Sequence, residues 1–448
     1  MSRPADTDRD LVLAERLVGF GRSCGADEIE VGIGESEEFS VEVRQGQIES
    51  LVEAGSRYAG VRVIKDKRTA FASSSDLSIE ALERLIRGAV KRAELSQPDP
   101  FSGLPHLSIE RVDPALLDIF DPEVGSLEAR AKIHLARETE RIALSDKRIT
   151  NSHGAGFSTH VARTVLAASN GFSGTYAKTF CGLGVGLQAG DTDDMVEDDW
   201  HSSQIHFRDL ETPETIARTA IERTVRQLHP RRIPTRRIPV VFEPPMTASL
   251  LGFLFGCVSG SAVYQRTTFL ADKLGQRIGR PGLTIVDDGL MPRRIGTGPF
   301  DSEGVPAQRT VVVDDGILKS FLCNAYASRK LGLPMTGNAD GGGVGPNNFY
   351  LEPGPHSAAD ILRSCDGALL LIRTLGHGLN QVTGDISRGA FGLWIENGEI
   401  AYPVSGITIA GNLGEILNGI EMIGSDLEFR SSISGPTIKV AEMMVSGD

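Results

Sequence analysis

Two histidines, His201 and His206, stand five residues apart in the segment DDWHSSQIHFRD, with Asp198, Asp199 and Asp209 around them. Imidazole and carboxylate are zinc ligands, and hydrolysis on zinc also needs a base to take a proton from the bound water. Serine follows His201 where a catalytic glutamate is needed. None of the nine histidines is followed by glutamate, which excludes every HExxH-type motif. The segment therefore reads as a solvated stretch before a helix. The adjoining acidic run DTDDMVEDD (191–199) lacks the glycine and closing glutamate of an EF-hand loop, and reads as charged surface.

A second group of polar side chains gathers in GLNQVTGDISRGAFGLW, where Asn380, Thr383, Asp385, Ser387 and Arg388 alternate with glycines. Such a density of hydrogen-bonding groups can line a cavity that reads peptide backbone, with Asp385 and Arg388 as a charge pair; equally, the pair can buttress a turn. His377 has no second ligand nearby in sequence and reads as structural. No GxxxxGK[ST] occurs, so a P-loop is not supported. The glycines of GNADGGGVGPNNFYLEPG (337–354) suit a loop that bends tightly and approaches another backbone.

The most apolar stretch is SLLGFLFGCVSGSAV (249–263), with no charged residue between Glu243 and Arg266. Its dense part, 250–258, is far shorter than the roughly 20 residues of a membrane span. A buried helix packed on a sheet is expected, entered through Pro244 and Pro245, with Thr247 as its candidate cap. Gly252 and Gly256, four apart, would give it a smooth face for close approach of a backbone or substrate. The five cysteines, Cys24, Cys181, Cys257, Cys323 and Cys365, are widely spaced without any CxxC; reduced, buried thiols are expected rather than a disulfide framework.

The elements that must position these groups are legible in outline. A helix pattern (DLVLAERLVGFGRSCGA) precedes three segments of period-two alternation with turns at Gln45-Gly46 and Lys65-Asp66, an antiparallel meander closed by the helix SIEALERLIRGAVKRAEL. A second block holds the helix LEARAKIHLARETERIAL, a long β segment and the helix ETIARTAIERTVRQL. Short strands and glycine turns follow, with Asp314-Asp315-Gly316 and Asn397-Gly398 as hairpin signals. The expected class is α+β. An N-terminal region of antiparallel sheet and helices (1–228, sub-blocks about 1–112 and 113–228) leads through a Pro/Arg linker (229–239) into a mostly β C-terminal domain (240–448), a curved sheet or barrel-like.

With 448 residues and a formal charge of −13, the chain is large enough for more than one core and is repelled on average by phosphate backbones. The basic segment HPRRIPTRRIP suits the interdomain linker, and no direct nucleic-acid contact is expected. The N-terminus lacks the apolar core of a secretory signal, so a cytoplasmic location and no membrane association are expected.

Several long segments carry a family resemblance: SGSAVYQRTTFLADKLGQ, DSEGVPAQRTVVVDDGILKSFLCNAYASRKLGL, TGNA, NQVTGDISRGAFGLWIENGEIAYPVSGITIAGNL and SGPTIKVAEMMVSGD. In order and spacing they resemble the TldD/PmbA family (also described as modulators of DNA gyrase), on its PmbA/TldE side, over nearly the whole chain. The resemblance implies a cytoplasmic heterodimeric metalloprotease that processes or degrades peptides and unfolded chains. The TldD subunit would carry a His-Glu-x-x-x-His helix and a distant cysteine as zinc ligands. In this sequence those helix positions are Gly252, Phe253 and Cys257, and the distant cysteine falls near Met422. The resemblance therefore implies a non-catalytic subunit with no metal of its own, zinc residing in a TldD-like partner, or a homodimer when alone. Two other readings stay open: an independently active homodimeric peptidase using His201, His206 or Asp385, and a regulatory protein-binding partner of a topoisomerase.

Overall fold

The computed structural model of the chain describes residues 4–107, 112–191 and 195–447. Its first half is built on one antiparallel sheet of β1 (Glu28–Arg44), β2 (Gln47–Lys65), β3 (Arg68–Ser74), β4 (Ile149–Ala168), β5 (Ser173–Ala189) and β6 (Val196–Gln204), in the order β3-β2-β1-β4-β5-β6. The turn at Gln45-Gly46 is present, with φ of 51° and 73°, the left-handed pair that a tight hairpin requires; the second turn lies one residue later than Lys65-Asp66, at Asp66 and Lys67, with φ of 48° and 61°. The segment before residue 205 corrects one sequence reading. It is strand β6 rather than a solvated stretch, because Val196, Asp198 and Ser202 alternate into the buried face.

Period-two patterning puts the apolar residues of this sheet on one face, and two helix pairs cover it side by side. Helices Pro4–Ser23 and Ile79–Leu95 pack on Val31, Val61 and Val63, with Leu82 and Ile86 fully buried. Helices Ala129–Ala143 and Pro213–Val225 pack on Val41, Phe157 and Val185. The opposite face carries Glu30, Gly32, Gly34, Gly60, Arg62, Tyr176 and Lys178, and looks toward the second half of the chain.

That half starts with β7 (Arg236–Phe242), so the Pro/Arg segment ends inside a strand. After the apolar helix Pro244–Val258 come β8 (Ile285–Asp288), β9 (Arg309–Asp314), β10 (Ile317–Leu318), a small hairpin of β11 (Ala339–Asp340) and β12 (Gly343–Val344), and β13 (Phe349–Leu351). The last part contributes β14 (Ala368–Leu375), β15 (Leu379–Asn380), β16 (Asp385–Glu396), β17 (Glu399–Asn412), β18 (Ile420–Ile423), β19 (Ile433–Ser434) and β20 (Ile438–Ser446). Strands β14, β7, β20, β17 and β16 pair in that order and β16 returns to β14, closing a five-stranded barrel. The α+β class and the barrel-like C-terminal region are thus present. Asp315-Gly316 and Asn397-Gly398 make the β9–β10 and β16–β17 turns, all four residues at positive φ.

Candidate functional site

The apolar helix begins one turn earlier than its sequence suggested. Glu243 is the N-cap residue, Pro244 and Pro245 open the first turn, and Thr247 lies inside the helix, fully buried, with its hydroxyl oxygen unpartnered. Proline tolerates the first helical positions because their N–H groups have no intrahelical acceptor, and this displaced the start. Leu250, Leu251, Leu254, Cys257 and Val258 join one core with Val240, Leu369 and Val440 of the barrel. Among the described residues no helix is long and apolar enough to cross a membrane.

The structure brings the helix and the polar segment 380–388 together. Ser249, Gly252 and Gly256 lie along one side of the helix. Arg388 on β16 donates to the Ser249 hydroxyl (3.2 Å) and to the Gly376 carbonyl (3.1 Å), while the Gln381 side chain lies against Gly256. Asp385 does not use Arg388 as its partner: it accepts from the Asn412 amide (3.0 Å), and its backbone N–H donates to Thr383 (3.3 Å). Side-chain hydrogen bonds with Thr383 and Asn412 hold the exposed Asp385 carboxyl below its ordinary range. Asn380 caps the tight turn, taking the Val382 N–H, and Thr383 and Ser387 face solvent. The segment is thus an exposed hairpin resting on the helix, with Arg388 as its inward tie.

The other sequence candidates stay apart. His201 pairs with Asp199 (3.5 Å) on β6, whereas His206 lies between the Asp118 carboxylate (3.2 Å) and Asp121 (3.8 Å). Asp209 instead meets Arg293 (3.4 Å), and His377 is exposed. Part of the acidic run, residues 192–194, lies outside the described residues. Among the described residues, no three His, Cys, Asp or Glu side chains are grouped to hold a metal ion. The five cysteines are free, and burial pushes the thiols of Cys181, Cys257 and Cys323 up to about 12.

A second site was not found from the sequence. Between the sheet's open face and the loops 296–303 and 337–347 lies a cleft of about 850 Å³. Arg62 reaches across it, pairing with Glu30 (2.9 Å) on β1 and Glu303 (2.8 Å) on the C-terminal side; desolvation raises the Glu30 pKa against the pull of Arg62. Asp301 accepts the N–H groups of Glu303, Val305 and Ala339, each at 2.9 Å, and burial still pushes its carboxyl up to about 7. Asp287, completely buried, is held by Asn338 (2.7 Å) and Asn347 (3.0 Å) and pushed up to about 6 by desolvation. Lys178 donates to the carbonyls of Ile295 and Thr297 and is pushed down to about 8 by burial. The glycine-rich loop does approach another backbone as expected: a Cβ on Gly337 would fall 2.6 Å from the Pro306 carbonyl oxygen. Its glycines were the one local signal for this cleft.

Comparison with known proteins matches this architecture along the whole length. Residues 29–93 match domain 1 of the PmbA/TldA metallopeptidases, 122–228 the central domain and 235–447 the C-terminal domain. The metalloprotease PmbA of Escherichia coli O157:H7 is 37% identical, covering 95% of this chain and 93% of its own. A PmbA homolog of Haemophilus influenzae is 32% identical over the full length of both. The chain belongs to the PmbA/TldD family. A crystal structure from Thermotoga maritima, described as a candidate modulator of a DNA gyrase, superposes with a TM-score of 0.90 at 25% identity, covering 98% of this chain and 100% of that one. TldE of Thermococcus kodakarensis has the same fold, with a TM-score of 0.87 at 23% identity.

Within a PmbA/TldD protein the apolar helix is where zinc ligands are expected, and these residues do not fit the metal. Gly252 and Phe253 offer no donor atom, and Cys257 is fully buried in the core with a thiol held neutral. Gly252 faces Ile433, and Phe253 is only 4% exposed. Met422, where a distant cysteine was placed, touches Ser364 (3.3 Å) and packs with the Ile361 and Cys365 cluster, apart from the helix core.

Proposed function

We propose that this PmbA/TldE-like protein is the non-catalytic subunit of a TldD/TldE-type cytoplasmic metalloprotease that processes or degrades peptides and unfolded chains. Zinc resides in the TldD-like partner, and the protein forms a homodimer when that partner is absent. The observation that carries this reading is the donor-free helix: Gly252, Phe253 and the buried Cys257 stand where a zinc helix needs ligands and base. The formal charge of −13 supports protein or peptide partners over direct nucleic-acid contact. The test is co-purification with a TldD-like subunit, together with elemental analysis and peptidase assay of each subunit and of the mixture. Activity confined to the pair, with zinc only in the partner, is the expected result. Stoichiometric zinc and peptide cleavage by this subunit alone would sink the proposal.

A further inference from the structure

Lys178 is a half-buried lysine whose ammonium has no carboxylate partner among the described residues. It sits on β5 in the floor of the cleft, and its Nζ donates to two neutral carbonyl oxygens, those of Ile295 and Thr297. No carboxylate among the described residues pairs with it, and desolvation alone pushes its pKa down, to about 8. An ammonium has three N–H donors, so one donor and the full charge are unspent. A charge drawn partly out of water is costly and is ordinarily paired.

The acids that border the same cleft are already engaged. Glu30 and Glu303 share Arg62, and Asp301 takes three backbone N–H groups. Asp340 stands on the opposite hairpin, β11–β12. Beside Lys178 on the same sheet face, Tyr176 lies opposite Thr164, adding hydroxyl groups. The rest of the cleft suits an extended peptide. Gly32 and Gly60 leave the floor flat, the Tyr58 ring lies over Gly34, and Tyr58 (54% exposed) and Phe71 (67% exposed) stand among the lining side chains. Its volume falls within the range of pockets that enclose small organic ligands.

We propose that this cleft binds a carboxylate-bearing peptide, with Lys178 Nζ as the anchor of the carboxylate and Tyr58 and Phe71 contacting the residues next to it. The peptide part rests on the proposed function; the carboxylate part rests on Lys178 alone. The carboxylate is the peptide's C-terminus or an acidic side chain, and both present the same group to Nζ.

The test uses the full-length protein without a partner and three dansyl-labelled hexapeptides read by anisotropy: an alanine peptide with a free C-terminus, its C-terminal amide, and an amide with one internal glutamate. The free acid is expected to bind at least about tenfold more tightly than the plain amide, as one charge-assisted contact implies. Tight binding of the glutamate amide as well assigns the pocket to any carboxylate; binding of the free acid only assigns it to C-termini. Lys178→Met should erase the difference and Lys178→Arg should retain part of it. If Lys178→Met does not fold, calorimetry of the wild type at pH 8.5 in two buffers replaces it, with proton uptake expected on binding the free acid. Equal binding of the three probes, no binding, a preference that survives Lys178→Met, or no proton uptake would each overturn the proposal. Pairing with a TldD-like subunit is read in a different assay, so either idea can fail without the other.

Discussion

Gly256 and Gln381 are in direct contact: a Cβ on residue 256 would overlap the Gln381 amide nitrogen. The neighbour is the free end of a flexible side chain, and alanine is favoured over glycine in a helix by roughly 0.5–1 kcal/mol. Gly260 differs, because its Cβ would meet Cys323 Sγ (2.8 Å), Ala327 Cβ (2.9 Å) and the Leu322 carbonyl oxygen (2.9 Å), none of which can swing away. Gly256→Ala should therefore stay within about 1 kcal/mol of wild type, while Gly260→Ala should lose about 1–3 kcal/mol. Urea midpoints decide the order, and the reverse order would refute this account of the two glycines.

Restoring the zinc helix in place should fail. In the triple variant Gly252→His, Phe253→Glu, Cys257→His, the new glutamate replaces a side chain only 4% exposed and the second histidine a fully buried thiol. An unpaired charge there should cost about 3–5 kcal/mol. Chemical denaturation should show that loss, and elemental analysis should find no stoichiometric zinc.

Asp287 makes stability depend on pH in a defined direction. Its carboxyl titrates at about 6 in the folded protein, against about 3.9 unfolded. The folded state thus holds the proton more tightly, so this contribution is fully present below pH ~4 and lost as pH rises through about 6. Its size is at most about 3 kcal/mol. Asp301 acts in the same sense up to about 7. Urea titrations at pH 5 and 7.5 should show wild type weakening relative to Asp287→Asn; an unchanged difference between the two proteins would refute the assignment.

Arg62 ties the two halves of the molecule together through Glu30 and Glu303. Arg62→Met leaves both carboxylates buried without a cation and should cost about 3–5 kcal/mol. Adding Glu30→Gln and Glu303→Gln should recover most of that loss. Failure of the triple variant to recover would place the cost in lost packing instead.

Sequence patterning reveals what is local. The meander, the amphipathic helix Ile79–Leu95 and the glycine hairpins follow from spacing over a few residues, and each is present. Barrel closure is not local: Val240 pairs with both Leu369 and Val440, and nothing near residue 240 encodes those distances. Likewise, the density of polar groups marked 380–388, but only the fold shows Arg388 reaching Ser249 while Asp385 turns to Asn412. Lys178 occupies a polar position of an alternating strand, indistinguishable in sequence from a solvent-facing lysine; burial comes from loops more than a hundred residues away. Thr247 misled because a threonine near a helix start is a common cap, while the two prolines before it had already begun the turn.

The order in which the barrel is stitched has a consequence for how the protein is made. The N-terminal sheet has all its strands once Gln204 has been synthesised, and its neighbours are mostly consecutive in sequence. The barrel has β20 wedged between β7 and β17, so its ring stays open until Ser446 has left the ribosome. At roughly 5–20 residues per second, the stretch between those points takes about 10–50 s. From the emergence of Val258 onward, β7 and the apolar helix are out without their final cover. The first half can fold while the second is still being made, whereas the ring of the second cannot close before β20 is out, and chaperone dependence and nascent-chain aggregation should concentrate there.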